Sequence, residues 1–125
     1  MISAQLIKYL EQNGFSLDFP NYNDIEEPII EILLEDNQRL NLALPLLFQE
    51  EFDYNKIKNT ILSYPLGALL LGEFHKIILI TQKISTLENK DISHLQQIIK
   101  QNNIKATFDE NEFKYQYRDF FEKIK

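Results

Sequence analysis

From Pro65 to Ile84 the chain places Leu66, Leu69, Leu70, Phe74, Ile77, Ile78 and Ile84 at helical spacing. No other pattern restricts the fold as strongly. Apolar residues recurring three and four positions apart form one stripe of an α-helix, and that stripe has to be covered by other elements. The Ile77–Ile80 run taken alone would also suit a buried strand. The length of the stripe, more than four turns, decides for a helix. Gly67 and Gly72 fall inside this stretch, where they weaken helix propensity but permit close approach of another helix.

Upstream, the same period recurs in shorter, punctuated pieces. Ile2, Leu6, Tyr9 and Leu10 precede Gly14, a C-terminal stop. Phe15 to Tyr22 reads as extended or irregular because Pro20 keeps its predecessor out of the helical region. Asn23 and Asp24 then cap a helix, with Glu26 and Glu27 near its positive end and Pro28 in the first turn, where its missing N–H is not needed. Ile29, Ile30, Leu33 and Leu34 are its expected buried stripe. A further helix is expected over Arg39–Gln49, bent at Pro45 or effectively starting there. Asp53 caps a third, with Ile57, Ile61 and Leu62 inward.

Beyond the long helix, Asp91 or Ser93 starts another, carrying Ile92, Leu95, Ile98 and Ile99. The end of the chain has two readings. Phe113, Tyr115 and Tyr117 alternate as in a strand, and could pair with Ile104, Ala106 and Phe108. Phe113, Tyr117, Phe120, Phe121 and Ile124 also share a helical face, and Asp109 with Glu112 has capping-box spacing, which favours the helix. The expected architecture is all-α: a compact single-domain bundle over residues 1–125, of about five to six helices, with a C-terminal β-hairpin at 104–125 as the alternative.

A chain of 125 residues, 44% hydrophobic and 26% charged, can bury a core of its own. The absence of cysteine excludes disulfides, thiol catalysis and Cys-bearing zinc sites. Glu73, His75, Lys76, Gln82 and Lys83 interrupt the most apolar stretch, so no membrane span is expected. The N-terminus lacks a basic start followed by an apolar run, so no signal peptide is expected either, and the cytoplasm is the default location.

The net charge of −6 is unevenly distributed. Residues 1–62 carry 11 acids and 4 bases, whereas residues 63–125 carry 8 acids and 9 bases. An acidic front half disfavours phosphate backbones and suits a basic partner surface. Glu27, Glu31 and Glu35 lie at i, i+4 and i+8, a like-charged ridge that costs a few tenths of a kcal/mol per pair in an isolated helix. These three residues are the candidate protein-interaction site.

Motifs that carry chemistry are missing from the sequence. No glycine-rich phosphate loop and no GxSxG elbow occurs, and His75 and His94 lack HExxH spacing. A small enzyme or metal protein would have to use His75 or His94 with partners brought in by the fold. No cofactor is implied. The segment Lys114–Arg118 interleaves bases with aromatics, and Lys114, Tyr115, Tyr117 and Arg118 are the candidate nucleic-acid contacts of an alternative, transcription-regulator reading. Lys105 to Lys125 holds five bases against five acids, which makes nucleic acid the weaker partner class.

Residues 27–74 combine Pro28, an apolar helix to Leu34, Asp36 and Arg39, the Ala43–Leu47 run ALPLL, Asp53-Tyr54, and Leu66-Gly67 before Leu69-Leu70. This arrangement resembles the helical, antitoxin-like regulatory proteins encoded beside minimal nucleotidyltransferases in prokaryotes. The resemblance implies a non-enzymatic interaction or regulatory module, and it transfers no functional residue. The expected partner is another protein with a basic surface. A second copy is the alternative, docked on the aromatic stripe of Phe113, Tyr117, Phe120 and Phe121.

Overall fold

A computed structural model of the chain describes residues 8, 11–12, 22–36, 41, 43–87 and 93–105. Five helices can be traced among the described residues, with no strand between them. The expected all-α class is therefore what the chain adopts. Lys8, Glu11 and Gln12 also have helical backbone. The rest of the N-terminal helix expected before Gly14, and the helix-or-hairpin question at 106–125, lie outside the described residues.

Helix α1 spans Glu26–Glu35. Of the two residues expected to cap it, Asp24 accepts from the first turn, whereas Asn23 only donates to it. The Glu27 N–H donates to Asp24 Oδ1 at 3.0 Å, and the Asn23 N–H donates to Glu27 Oε2 at 3.1 Å. The first of these bonds satisfies a backbone donor that the first turn cannot pair internally. At the other end Asp36 adopts a left-handed conformation (φ 49°), and its N–H returns to the Ile32 carbonyl. Short polar residues tolerate this geometry better than most. The face of α1 buried in the core is Pro28, Ile29, Ile32 and Leu33. This corrects the expected stripe: Ile32 belongs to it, whereas Ile30 and Leu34 are only half-buried.

Helix α2 is a single turn, Leu44–Leu47, with Pro45 in its first positions and every residue buried. The longer helix expected through Gln49 is not formed, because Phe48 and Gln49 close a turn on Leu44 and Leu46. Proline has no N–H and collides with the carbonyl four residues back, so Pro45 marks a start.

Helix α3, Tyr54–Leu62, is capped by Asp53, whose side chain accepts from the Lys56 N–H at 3.2 Å. The Asp53 N–H donates to Glu26 Oε1 at 2.8 Å, and Lys56 pairs with Asp24. The N-termini of α1 and α3 are thus tied to each other. Tyr54, Ile57 and Ile61 are buried. Leu62, expected inward, is 45% exposed, being about 100° round the helix from Ile61.

Helix α4, Gly67–Leu87, packs against each of the other four. At 1.5 Å per residue it is about 30 Å long, enough to serve as the axis of the bundle. Leu70, Phe74, Ile77, Ile78, Ile80 and Thr81 are buried along it. Thr81 lends its hydroxyl to the Ile77 carbonyl at 2.7 Å, so its polar atom is paired inside the core. Leu66 and Leu69, also expected inward, are 63% and 70% exposed. Leu66 precedes the helix, and Leu69 is a quarter-turn away from Leu70. Among the described residues no helix is long and apolar enough to cross a membrane.

Helix α5, Ser93–Gln101, buries Leu95 and Ile98, with Ile99 half-buried. It ends with Asn103 in the left-handed region (φ 49°). The Ile104 N–H reaches the Ile99 carbonyl at 3.0 Å and the Asn103 N–H reaches that of Lys100 at 3.4 Å. This is the paired closure of a Schellman motif, and buried Ile104 supplies the apolar contact that accompanies it.

Candidate functional site

The outer face of α1 carries all three glutamates of the ridge. An open groove of about 440 Å³ is lined there by Tyr22, Glu27, Ile30, Glu31, Leu34 and Glu35. Ile30 and Leu34 pack inward on the core cluster and also line the groove. An apolar stripe therefore runs directly beside the acidic ridge. The Tyr22 hydroxyl donates to the Glu31 carboxylate. Glu27 accepts from both the backbone and the side-chain amide of Asn23. Two of the three carboxylates are thus held in place by neutral donors, and Glu35 is exposed at the end of the row. Each carboxylate has more lone pairs than these bonds use, so the ridge keeps acceptor capacity for an incoming cation.

Sequence spacing put these glutamates on one face. It did not show that Ile30 and Leu34 would be left over from the core, nor that Tyr22 would close one side of the groove. Mismatch between the apolar stripe expected for α1 and the half-buried state of Ile30 and Leu34 is the signal that locates the groove.

The two histidines sit at opposite ends of a run of aromatic rings. Tyr54 stacks on Phe74 (centroids 5.8 Å apart, planes 19° apart) and on His75 (5.8 Å, 23°). Phe48, Phe52 and Phe74 form a triangle with centroids 5.2 to 6.0 Å apart, and His94 meets Phe52 edge-on at 6.0 Å. Such pairs contribute about 0.5–1.5 kcal/mol beyond the area they bury, so the run ties α2, α3, α4 and α5 together.

Both imidazoles are engaged through Nε2. That of His75 shares a 2.7 Å hydrogen bond with the Tyr54 hydroxyl, which donates when Nε2 is unprotonated. Burial, with Lys58 as a smaller cause, pulls His75 below the ordinary imidazole value, and burial pushes the Tyr54 phenol up. His94 Nε2 lies 2.7 Å from the Phe48 carbonyl at the end of α2. A carbonyl only accepts, so His94 carries its proton on Nε2 and satisfies a helix-end acceptor.

No protein-family model matches this chain, and no curated protein or solved structure matches it either.

Among the described residues no group of three or more His, Asp or Glu side chains is placed to hold a metal ion. Of the alternative nucleic-acid contacts, Lys114, Tyr115, Tyr117 and Arg118 all lie outside the described residues. Of the sequence-derived candidates within the described residues, the two histidines are each bonded to a core neighbour, and the three glutamates share one open groove.

Proposed function

We propose that this chain is a non-enzymatic protein-interaction module with a regulatory role, acting in the cytoplasm, and that its partner presents a basic surface. The observation that carries this reading is the groove on α1, where an apolar stripe of Ile30 and Leu34 lies against Glu27, Glu31 and Glu35. Apolar contact supplies affinity there, and the carboxylates select for cations and speed encounter. The engagement of both histidines with Tyr54 and Phe48 supports a structural role for them. The resemblance of residues 27–74 to antitoxin-like partners of minimal nucleotidyltransferases is in keeping with the same role.

The test is capture of the partner by the tagged full chain from its native source, with identification by mass. Capture is then repeated with Glu31→Lys and Glu35→Lys together with Glu27→Gln, which keeps one of the two acceptor oxygens that Asn23 uses. The expected result is weaker capture with a shallower salt dependence, while circular dichroism shows an intact fold. Capture unchanged in amount and in salt dependence would refute the assignment of this face.

A further inference from the structure

We propose that the occupant of the α1 groove is an amphipathic helix of a partner protein, with Lys or Arg at successive turns beside its apolar stripe. This rests on the reading of the groove as an interaction face and specifies what that face binds.

Charge defines the first half of the complement. Among the described residues that line the groove, the charged side chains are Glu27, Glu31 and Glu35, all acidic. With a rise of 1.5 Å per residue, their attachment points on α1 repeat about every 6 Å. A partner helix lying along α1 offers cations at the same interval when it carries them four residues apart. Its own apolar residues, three and four apart, then meet Ile30 and Leu34.

Hydrogen bonding decides between a helix and an extended strand. A strand could also space alternate side chains by about 6.6 Å, so spacing alone does not separate the two. An extended segment would, however, bring unpaired backbone N–H and C=O groups onto the groove. The N–H groups of α1 beyond its first turn are spent within its own helix, and the polar side chains lining the groove are carboxylates and a tyrosine whose hydroxyl already donates to Glu31. Carbonyl oxygens of a strand that turn into the groove would lose water there and meet no free donor among the described lining residues. A helix brings its backbone already paired and offers only side chains.

Symmetry decides against a second copy seated groove to groove. A two-fold dimer places the same patch on both sides, which would set three glutamates against three. Like charges facing each other across an interface oppose association.

The experiment titrates the intact 125-residue chain into fluorescently labelled synthetic peptides, read by anisotropy. The probe is a helix with Leu at three- and four-residue spacing and Lys every fourth position beside that stripe. Three controls keep its length: one has the same composition scrambled, one has two central prolines, and one has Glu for every Lys. The patterned peptide is expected to bind, and each control to bind at least about tenfold more weakly. Glu31→Gln and Glu35→Gln, both exposed positions, are expected to weaken the patterned peptide about two- to fivefold each and to lower its salt dependence.

Equal binding of the scrambled or proline peptide would overturn the proposal, because charge alone would then explain the attraction. Absence of binding by the patterned peptide would overturn it as well. Should that happen while the glutamate substitutions still weaken capture of the native partner, the helical occupant fails and the interaction face stands. Should the substitutions leave capture intact, both fail. A concentration-dependent dimer in sedimentation that dissociates on Glu31→Gln would assign the groove to a second copy and overturn the proposal.

Discussion

The same substitution at two glycines of α4 is expected to act with opposite sign. At Gly67 a Cβ would lie 2.3 Å from the Ile61 carbonyl oxygen and 2.8 Å from Leu62 Cα. Both neighbours are backbone at the end of α3, so neither can swing aside as a side-chain tip would. The oxygen is about 0.7 Å closer than the 3.0 Å that carbon–oxygen packing tolerates. Relieving this overlap requires α3 and α4 to part, and overpacking of that kind costs about 1–3 kcal/mol. At Gly72 nothing lies within 4 Å of the added atom, and the site is in the helix interior. Only propensity acts there, and alanine is worth about 0.8–1.0 kcal/mol over glycine. Gly67→Ala should therefore lose about 2 kcal/mol and Gly72→Ala should gain up to about 1 kcal/mol. Urea unfolding followed at 222 nm measures both, with the m-value as the check that compactness is unchanged. In thermal melts the two variants should bracket the parent by several degrees on either side, at about 4 °C per kcal/mol. A Gly67→Ala protein as stable as the parent would refute the close approach of α3 to α4. A destabilised Gly72→Ala would mean that something packs on that face of α4.

Removing the His94 imidazole leaves the Phe48 carbonyl without its donor, so His94→Ala should cost about 1–3 kcal/mol in urea unfolding, and His94→Gln should restore part of it. Because burial lowers the His75 pKa below 6.5, protonation favours the unfolded chain. The stability from neutral His75 is therefore complete above about pH 6.5 and is lost as pH falls through the lower folded value; His75→Gln should flatten that part of the stability–pH curve. The Lys56 partnership holds the Asp24 carboxyl below its ordinary 3.8, so a second loss should begin only at more acidic pH and should disappear in Asp24→Asn. Asn103→Ala forces a Cβ-bearing residue without a local polar partner into φ 49°, and should cost about 1–2 kcal/mol in thermal unfolding, whereas Asn103→Gly should be neutral or stabilising.

What could be read without coordinates is what depends on neighbours in the chain. Asp24 and Asp53 are caps because a short acidic side chain at a helix start meets N–H groups two and three residues on, wherever the helix later packs. Pro45 starts α2 for an equally local reason. The long α4 followed from period alone, since a stripe over that length leaves no strand register that would bury it.

Which side of each helix faces the core was decided by tertiary packing, and it differed from expectation at particular residues. Ile30, Leu34, Leu62, Leu66 and Leu69 all belong to the expected stripes, yet they are half-buried or exposed. Hydropathy gives the direction of an apolar stripe to within a neighbouring position, whereas burial depends on where the other helices stop. The acid–base tie between the starts of α1 and α3, joining Asp24, Glu26, Asp53 and Lys56, spans about thirty positions of chain and has no local signature.

The helical class, the starts of most described helices and the shared face of Glu27, Glu31 and Glu35 are all written in the order of residues. Those properties follow from the 3.6-residue period and from capping chemistry, both of which act over one or two turns. Packing between helices is what leaves Ile30 and Leu34 beside those glutamates as an open groove, and what brings His75 to Tyr54 and His94 to Phe48. The reason is that α4 can be covered from a limited number of sides. With α2, α3 and α5 packed on it, the inner face of α1 closes the core with Ile29, Ile32 and Leu33, and among the described residues the next stripe, Ile30 and Leu34, touches that core only along its edge.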